Sequence, residues 1–310
     1  MRALLELQFI IFALIGVGCF VRKKNIVSRE GQKNLTDLVI YVILPCNTVT
    51  AFMQEIPRSS LYDCVRVFLI SAGIQVFCVL YGRIAYRNME ENRRKSLTYG
   101  IMISNAGFLG NPVAEGLYGA QGLMLASVYL TPVRVMMWSE GLAIFSGQKD
   151  RKATLKKVAT HPCVLACFIG IILLITRVFT GIVLLPGPVL VLLQTIGRCN
   201  TALSMMVIGM IVSNVKPSDF IDPLVFRYSV ERLVVIPAIT FAVMMVLKRI
   251  GWVSGIVPGL SVMLAAMPAA TTTSMLASRY DCEPEFAAKM VIVSTVLSIP
   301  TIFLWSLILL

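Results

Sequence analysis

The chain carries about ten apolar stretches, each long enough to cross a bilayer, whose hydrocarbon core takes roughly 20 residues of helix. They fall near 4–21, 35–54, 61–86, 97–118, 122–145, 163–180, 188–213, 222–247, 258–278 and 285–309. A chain built this way is expected to be an all-α polytopic membrane protein. Composition supports that reading: 57% hydrophobic residues against 14% charged, with a mean hydropathy of +0.81, exceed the apolar surface a soluble fold of this size could hide. The opening "MRALLELQFIIFALIGVGCF" has the basic start and apolar core of a signal peptide but no clear small-residue cleavage site. A further span follows soon after it, so it is read as the first helix.

Net charge is +12, but its distribution argues for a membrane rather than a nucleic-acid partner. Basic residues cluster in alternate connections: Arg22, Lys23, Lys24, Arg29 and Lys33; then Arg83, Arg87, Arg93, Arg94 and Lys95; then Lys149, Arg151, Lys152, Lys156 and Lys157. With Lys216, Arg227, Arg279 and Lys289 they place roughly 19 of the 28 Lys and Arg on one face, against about six on the other. By the positive-inside rule that face is cytoplasmic, which places both termini outside the cytoplasm of a multi-pass protein of the plasma (inner) membrane. Lys248 and Arg249 dissent from the pattern.

The longest polar connection, "GQKDRKATLKKVATHP" at 147–162, divides the chain into a first five-helix repeat, 1–146, and a second, 163–310. Five is odd, so the second half must enter the membrane inverted, an arrangement common in secondary transporters. Two spans are interrupted at corresponding places. The fourth contains "SNAGFLGNPV", with Asn105, Gly107, Gly110, Asn111 and Pro112, and the ninth contains "LAAMPAATTTSMLASRY", with Pro268 near its centre.

Proline removes a backbone donor and glycine eases departure from helical geometry. Freed backbone groups survive in a membrane only where protein or a water-filled cavity satisfies them. Breaks in helices 4 and 9 at matching depth therefore imply that the two cross at a polar midplane site. There the half-helices starting near Val113 and Ala269 point N–H groups and positive dipole ends inward. Asn105, Asn111, Thr271, Thr272 and Thr273 add neutral groups suited to a carboxylate or a partly dehydrated ion.

Charges inside spans add to this picture. Arg134, Arg198, Glu231 and Arg232 all fall near helix centres, three cations against one carboxylate, which favours an anionic substrate. Arg134 is the candidate carboxylate partner, because a guanidinium offers a permanently charged fork; the alternative is a packing contact. Glu231 and Arg232 point about 100° apart and suggest a structural network, with Arg198 pairing to Glu231. Glu115, four residues beyond Asn111 on the same helix face, is suited to carry a coupling proton if desolvated, or else is an ordinary helix-end carboxylate. Asp37 is placed at the start of span two as a dipole-complementing acid or a proton relay. Glu231 is a third coupling-ion candidate, and Glu140 is expected to pair with the basic central connection.

"NAGFLGNP" resembles the fourth-helix motif of the auxin efflux carrier family in its prokaryotic, short-loop form. "NLTDLVIYVILPCNTV" and "AAMPAATTTSMLASRYDCEPEFAAKMVIVSTVLSIPT" resemble its second helix and its ninth to tenth helices, so that the likeness covers nearly the whole chain. The resemblance implies ten helices in two inverted five-helix repeats, unwound helices 4 and 9 crossing at the substrate site, and a scaffold of outer helices. It further implies export or exchange of organic anions such as malate, malonate or indole acetate. Asn105, Gly110 and Pro112 match the first crossover and Pro268 the second. The seventh span departs from the pattern: "GRCNTALSMM" has Ala202 where the family has proline. The long central loop of plant members is absent, which weighs against auxin as the cargo.

An enzyme is not expected. The chain has one histidine, His161, no H-E-x-x-H pattern and no phosphate loop. The eight cysteines show no zinc or disulfide spacing, and Cys19, Cys46, Cys78 and Cys167 sit in spans as small apolar residues, so no metal or cofactor is expected. The expected function is alternating-access transport of small mono- or dicarboxylates, coupled to protons or run as exchange. The alternatives are a ligand sensor of the same fold and a sodium-coupled bile-acid-type symporter. Expected partners are the anion, a coupling proton or sodium, the bilayer, and a second copy through outer helices one and two or six and seven.

Overall fold

The computed structural model describes residues 2–53, 59–146, 160, 162–181, 185–213 and 222–309. The 147–162 connection with Lys149, Arg151, Lys152, Lys156, Lys157 and His161 lies, apart from 160 and 162, outside the described residues, as does Lys216. Among the described residues the secondary structure is helical, with one isolated β-bridge. The helices are α1 (Arg2–Lys23), α2 (Arg29–Leu38), α3 (Leu44–Phe52), α4 (Ser59–Ala85), α5 (Glu91–Met102), α6 (Asn111–Trp138), α7 (Glu140–Ser146) and α8 (Pro162–Thr180). They continue with α9 (Gly187–Gly197), α10 (Cys199–Val212), α11 (Pro223–Val230), α12 (Ile236–Arg249), α13 (Val257–Ala265), α14 (Thr272–Arg279) and α15 (Pro284–Leu309). Among the described residues, five continuous stretches are long and apolar enough to cross a membrane: Arg29–Phe52, Leu61–Ala85, Gly187–Met210, Pro223–Arg249 and Pro284–Leu309.

Prolines shape several of these helices. Three π-helical turns, Val39–Ile43, Ala106–Gly110 and Glu231–Val235, each precede a helix whose second residue is proline: Pro45, Pro112 and Pro237. A proline ring clashes with the carbonyl one turn back and cannot bond to it, and widening the helix by a residue relieves both problems. In α6 the backbone leaves helical geometry at Gly119 (φ 63°, ψ −157°), a left-handed position that glycine adopts at little cost. There the segment after the first break turns into the next long helix.

The helices pack in two groups. In one, α1 lies against α10, α3 against α8 and α9, and α2 against α10. Here α1 and α10 touch backbone to backbone: a Cβ on Gly18 would sit 1.9 Å from the Met206 carbonyl oxygen, and one on Gly209 would sit 2.0 Å from that of Ile15. Such small-residue contacts replace the hydrophobic drive that lipid does not supply. In the other group α4 packs on α5 and α6, α11 on α15, and α13 on α12. The groups meet chiefly where α3 lies along α6.

The expected dipole role of Asp37 is not found. The helix begins at Arg29, eight residues earlier, with Ser28 Oγ accepting the Gly31 N–H at 3.0 Å and Glu30 in the first turn. Asp37 lies in the third turn and is exposed.

Candidate functional site

The two interrupted helices meet. After α5 ends at Met102, Ile103 turns extended and the chain runs alongside 268–270, where Ser104 bridges Ala269 in antiparallel register. Asn105 N–H donates to the Pro268 carbonyl at 2.8 Å, and Ala270 N–H donates to the Ile103 carbonyl at 3.2 Å. Each break thus supplies backbone partners for the other, the condition under which non-helical chain persists in a membrane.

Neighbouring elements satisfy further freed groups. Arg232, 3% exposed, donates from Nε to the Met267 carbonyl at 3.0 Å and from Nη1 to the Ile101 carbonyl at 3.2 Å. It therefore holds the carbonyl ends of both half-helices at once. Ser294 Oγ on α15 accepts the Ala269 N–H at 3.3 Å, and Trp305 Nε1 donates to the Leu233 carbonyl beside Arg232 at 3.0 Å. Sequence reasoning placed Arg232 in a packing network; only the fold reveals that its partners are the two breaks.

The expected site residues divide by what they touch. Asn105 is buried, and its carbonyl accepts from Leu109 and Gly110 N–H at 3.0 and 3.3 Å, which opens the π turn. A Cβ on Gly110 would lie 2.8 Å from Leu264 Cδ2 and 3.2 Å from Met267 Cγ, so this glycine lets α13 approach. Gly107 faces Leu130 and Arg134 of α6: its Cβ position is 3.8 Å from Leu130 Cδ1 and 3.9 Å from Arg134 Nη2. Arg134 is 6% exposed, and its Nη1 is buried with no hydrogen-bond partner.

Asn111 is fully buried with neither amide atom bonded, and Thr273 Oγ1 is likewise buried and unpaired. Pro112 is the buried second residue of α6. Pro268 contributes its carbonyl to the crossing. Thr271 stands at the N-cap of α14 without a side-chain capping bond, as Asn105 does for the π turn, and the Thr271 carbonyl accepts from Ser274 Oγ at 3.0 Å. Thr272 Oγ1 is occupied, accepting from Tyr99 OH at 2.9 Å.

Buried polar groups are almost always bonded. A guanidinium nitrogen, an amide and a hydroxyl left over along the two interrupted helices and the helix that faces one of them have the donor-rich character an anion requires.

The remaining charges are corrected by geometry. Arg198 does not pair with Glu231: it is exposed, at the interruption between α9 and α10. Glu231, 8% exposed, accepts instead from Arg227 Nε of α11 at 2.7 Å and from the OH of Tyr86, the residue that follows α4. Glu140 pairs with Arg83, while its expected partners in the central connection lie outside the described residues. Of the charges expected inside spans, Arg134 and Arg232 are thus the buried pair that no carboxylate contacts among the described residues.

Glu115 is half-buried, and its Oε2 accepts from Asn47 Nδ2 at 3.3 Å, a bond that crosses from α6 to α3 and so joins the two helix groups. Asn47 was missed in the sequence although it follows Pro45 by two residues. The backbone of Asn47 is pressed by Gly197, where an added Cβ would lie 3.0 Å from Asn47 Cα.

The family described as "Membrane transport protein" matches the chain twice, over residues 3–155 and 151–306. An uncharacterized transporter of Methanocaldococcus jannaschii is 26% identical over 318 residues, covering 99% of each chain. An uncharacterized transporter of Methanothermobacter thermautotrophicus is 25% identical over 312 residues, covering 96% of each.

Proposed function

The chain belongs to the membrane transport protein family of auxin-efflux-carrier-like transporters, and from that premise we propose that it is a secondary active carrier of small organic anions. The observation that carries this reading is the unpaired, buried Nη1 of Arg134, on the side chain that faces Gly107 in the first break. A buried guanidinium without a counter-charge is expensive, and a substrate carboxylate supplies both charge and acceptor. Arg232 adds a second buried positive charge, already bonded to the crossing carbonyls, which biases the region toward anions without touching them.

In this reading the chain is two inverted five-helix repeats, 1–146 and 163–310 joined by 147–162, and helices 4 and 9 cross at the midplane. The group containing α4–α6 and α11–α15 moves against the group of α1–α3 and α8–α10. The Glu115–Asn47 bond lies between the moving parts, so Glu115 is the coupling carboxylate: protonation weakens its bond and frees the groups to shift. Glu231, held by Arg227 and Tyr86, is a structural anchor rather than a coupling group.

The test is solid-supported-membrane electrophysiology on proteoliposomes, challenged with mono- and dicarboxylates and indole acetate at several pH values. A carboxylate-specific current that falls in Asn105→Ala and Arg134→Gln is the expected result. No current and no labelled-substrate counterflow, with ligand-induced thermal stabilisation retained, would make the protein a sensor and overturn transport.

A further inference from the structure

Away from the crossing, a groove of about 520 Å³ runs between α4 and α12. Both helices pack on α13, but they scarcely touch each other. Its walls are almost wholly apolar, including Ile74, Phe77, Val243 and Leu247; Thr240 is also there, but its hydroxyl is spent on the Ile236 carbonyl at 2.9 Å.

Two features give the groove a definite occupant. The first is Gly73 in the interior of α4. A helical glycine costs about 1 kcal/mol relative to alanine and is usually kept where another backbone comes close. Here a Cβ would meet nothing within 4 Å, so no protein neighbour accounts for the glycine, and what it keeps open is the groove it lines.

The second is the end of the groove. Helix α12 closes at Gly251 (φ 75°), whose N–H bonds the Lys248 carbonyl at 3.1 Å, and Trp252 N–H reaches back to the Leu247 carbonyl at 3.0 Å. This glycine-terminated cap turns the chain back so that Trp252 lines the groove together with Leu247. Lys248 and Arg249 follow Leu247 in the chain, both exposed and in no ion pair among the described residues. These are the two cations that depart from the charge pattern of the connections. A tryptophan with adjacent free cations at the end of an apolar channel is the chemistry that recognises an acidic lipid headgroup above its acyl chain.

We propose that the groove between α4 and α12 seats an acyl chain of an anionic phospholipid whose headgroup is held by Lys248 and Arg249 beside Trp252. This site is separate from the crossing and does not depend on what is transported.

The test is native mass spectrometry and thermal unfolding of the purified full chain in detergent. The probes are 1-palmitoyl-2-oleoyl phosphatidylglycerol and the phosphatidylcholine with the same chains. Wild type should retain the glycerol lipid up to about thirtyfold more tightly, the order that two interfacial cations supply. Gly73→Leu, whose Cβ meets no protein atom within 4 Å and whose side chain enters the groove, should lose retention of both lipids while remaining folded. Lys248→Gln with Arg249→Gln should abolish the preference but keep the choline lipid bound. Equal retention of the two lipids by wild type would overturn the proposal, as would undiminished binding in Gly73→Leu. A dimer that dissociates in Gly73→Leu would assign the groove to a second copy instead.

Discussion

Arg134 and Arg232 are both buried guanidiniums, yet they do opposite jobs. Arg232 is saturated by carbonyls that the two breaks release, whereas Arg134 keeps a nitrogen in reserve. Arg134→Gln should weaken carboxylate binding by at least tenfold, about 1.4 kcal/mol, while Arg198→Gln should change it less than twofold because Arg198 is exposed. Binding by isothermal titration checks both, and equal effects would reduce Arg134 to packing. Arg232→Lys should act on stability instead. An ammonium lacks the fork that reaches Met267 and Ile101 together, and each carbonyl left unpaired costs about 1–3 kcal/mol. A lowered midpoint in thermal unfolding, larger than that of Arg134→Gln, is the expected outcome. Both arginines were visible in the sequence as charges inside spans. What separates them is which atoms lie across from each, and those atoms belong to segments more than a hundred residues away in the case of Ile101 and Arg232.

At the level of elements, prolines, glycines and asparagines in the apolar stretches foretold the interruptions in the fourth and ninth spans. The π turns before Pro45 and Pro237 were not foretold. A proline in an apolar run is equally compatible with a simple kink, as at Pro132 and Pro300, where the helix continues through. The start of the second span was misplaced for a related reason: residues 29–38 are too polar to register in an apolar window, although Ser28 and Glu30 mark a capped helix there. Glycine contacts were also hidden, because a helical glycine looks the same whether or not another helix leans on it. Gly209→Leu, forced against the Ile15 carbonyl, should destroy the α1–α10 contact and the folded, monodisperse protein with it. Gly16→Ala, which meets nothing within 4 Å, should leave elution from size exclusion unchanged. If both variants behave alike, the close packing of these helices is wrong.

For the whole molecule, the proposed movement of one helix group against the other would be felt first at the α3–α6 contact, where the groups chiefly meet. Glu115 and Asn47 bridge it. If protonation of Glu115 accompanies transport, Glu115→Gln should flatten the pH dependence of the current, and Asn47→Ala should shift that dependence without removing it. An unchanged profile in Glu115→Gln would exclude the carboxylate as the coupling group.

The crossing itself is joined through main-chain atoms at Asn105, Pro268, Ile103 and Ala270. The bonds of such a joint do not depend on which side chains stand at Ile103 and Ala270: replacements there that still pack leave its donors and acceptors in place. Only an imino acid at 105 or 270 would delete a donor outright. A lineage that drifts far in sequence can therefore keep its two halves knotted at one point, while the lettering from which a reader might recognise the knot fades away.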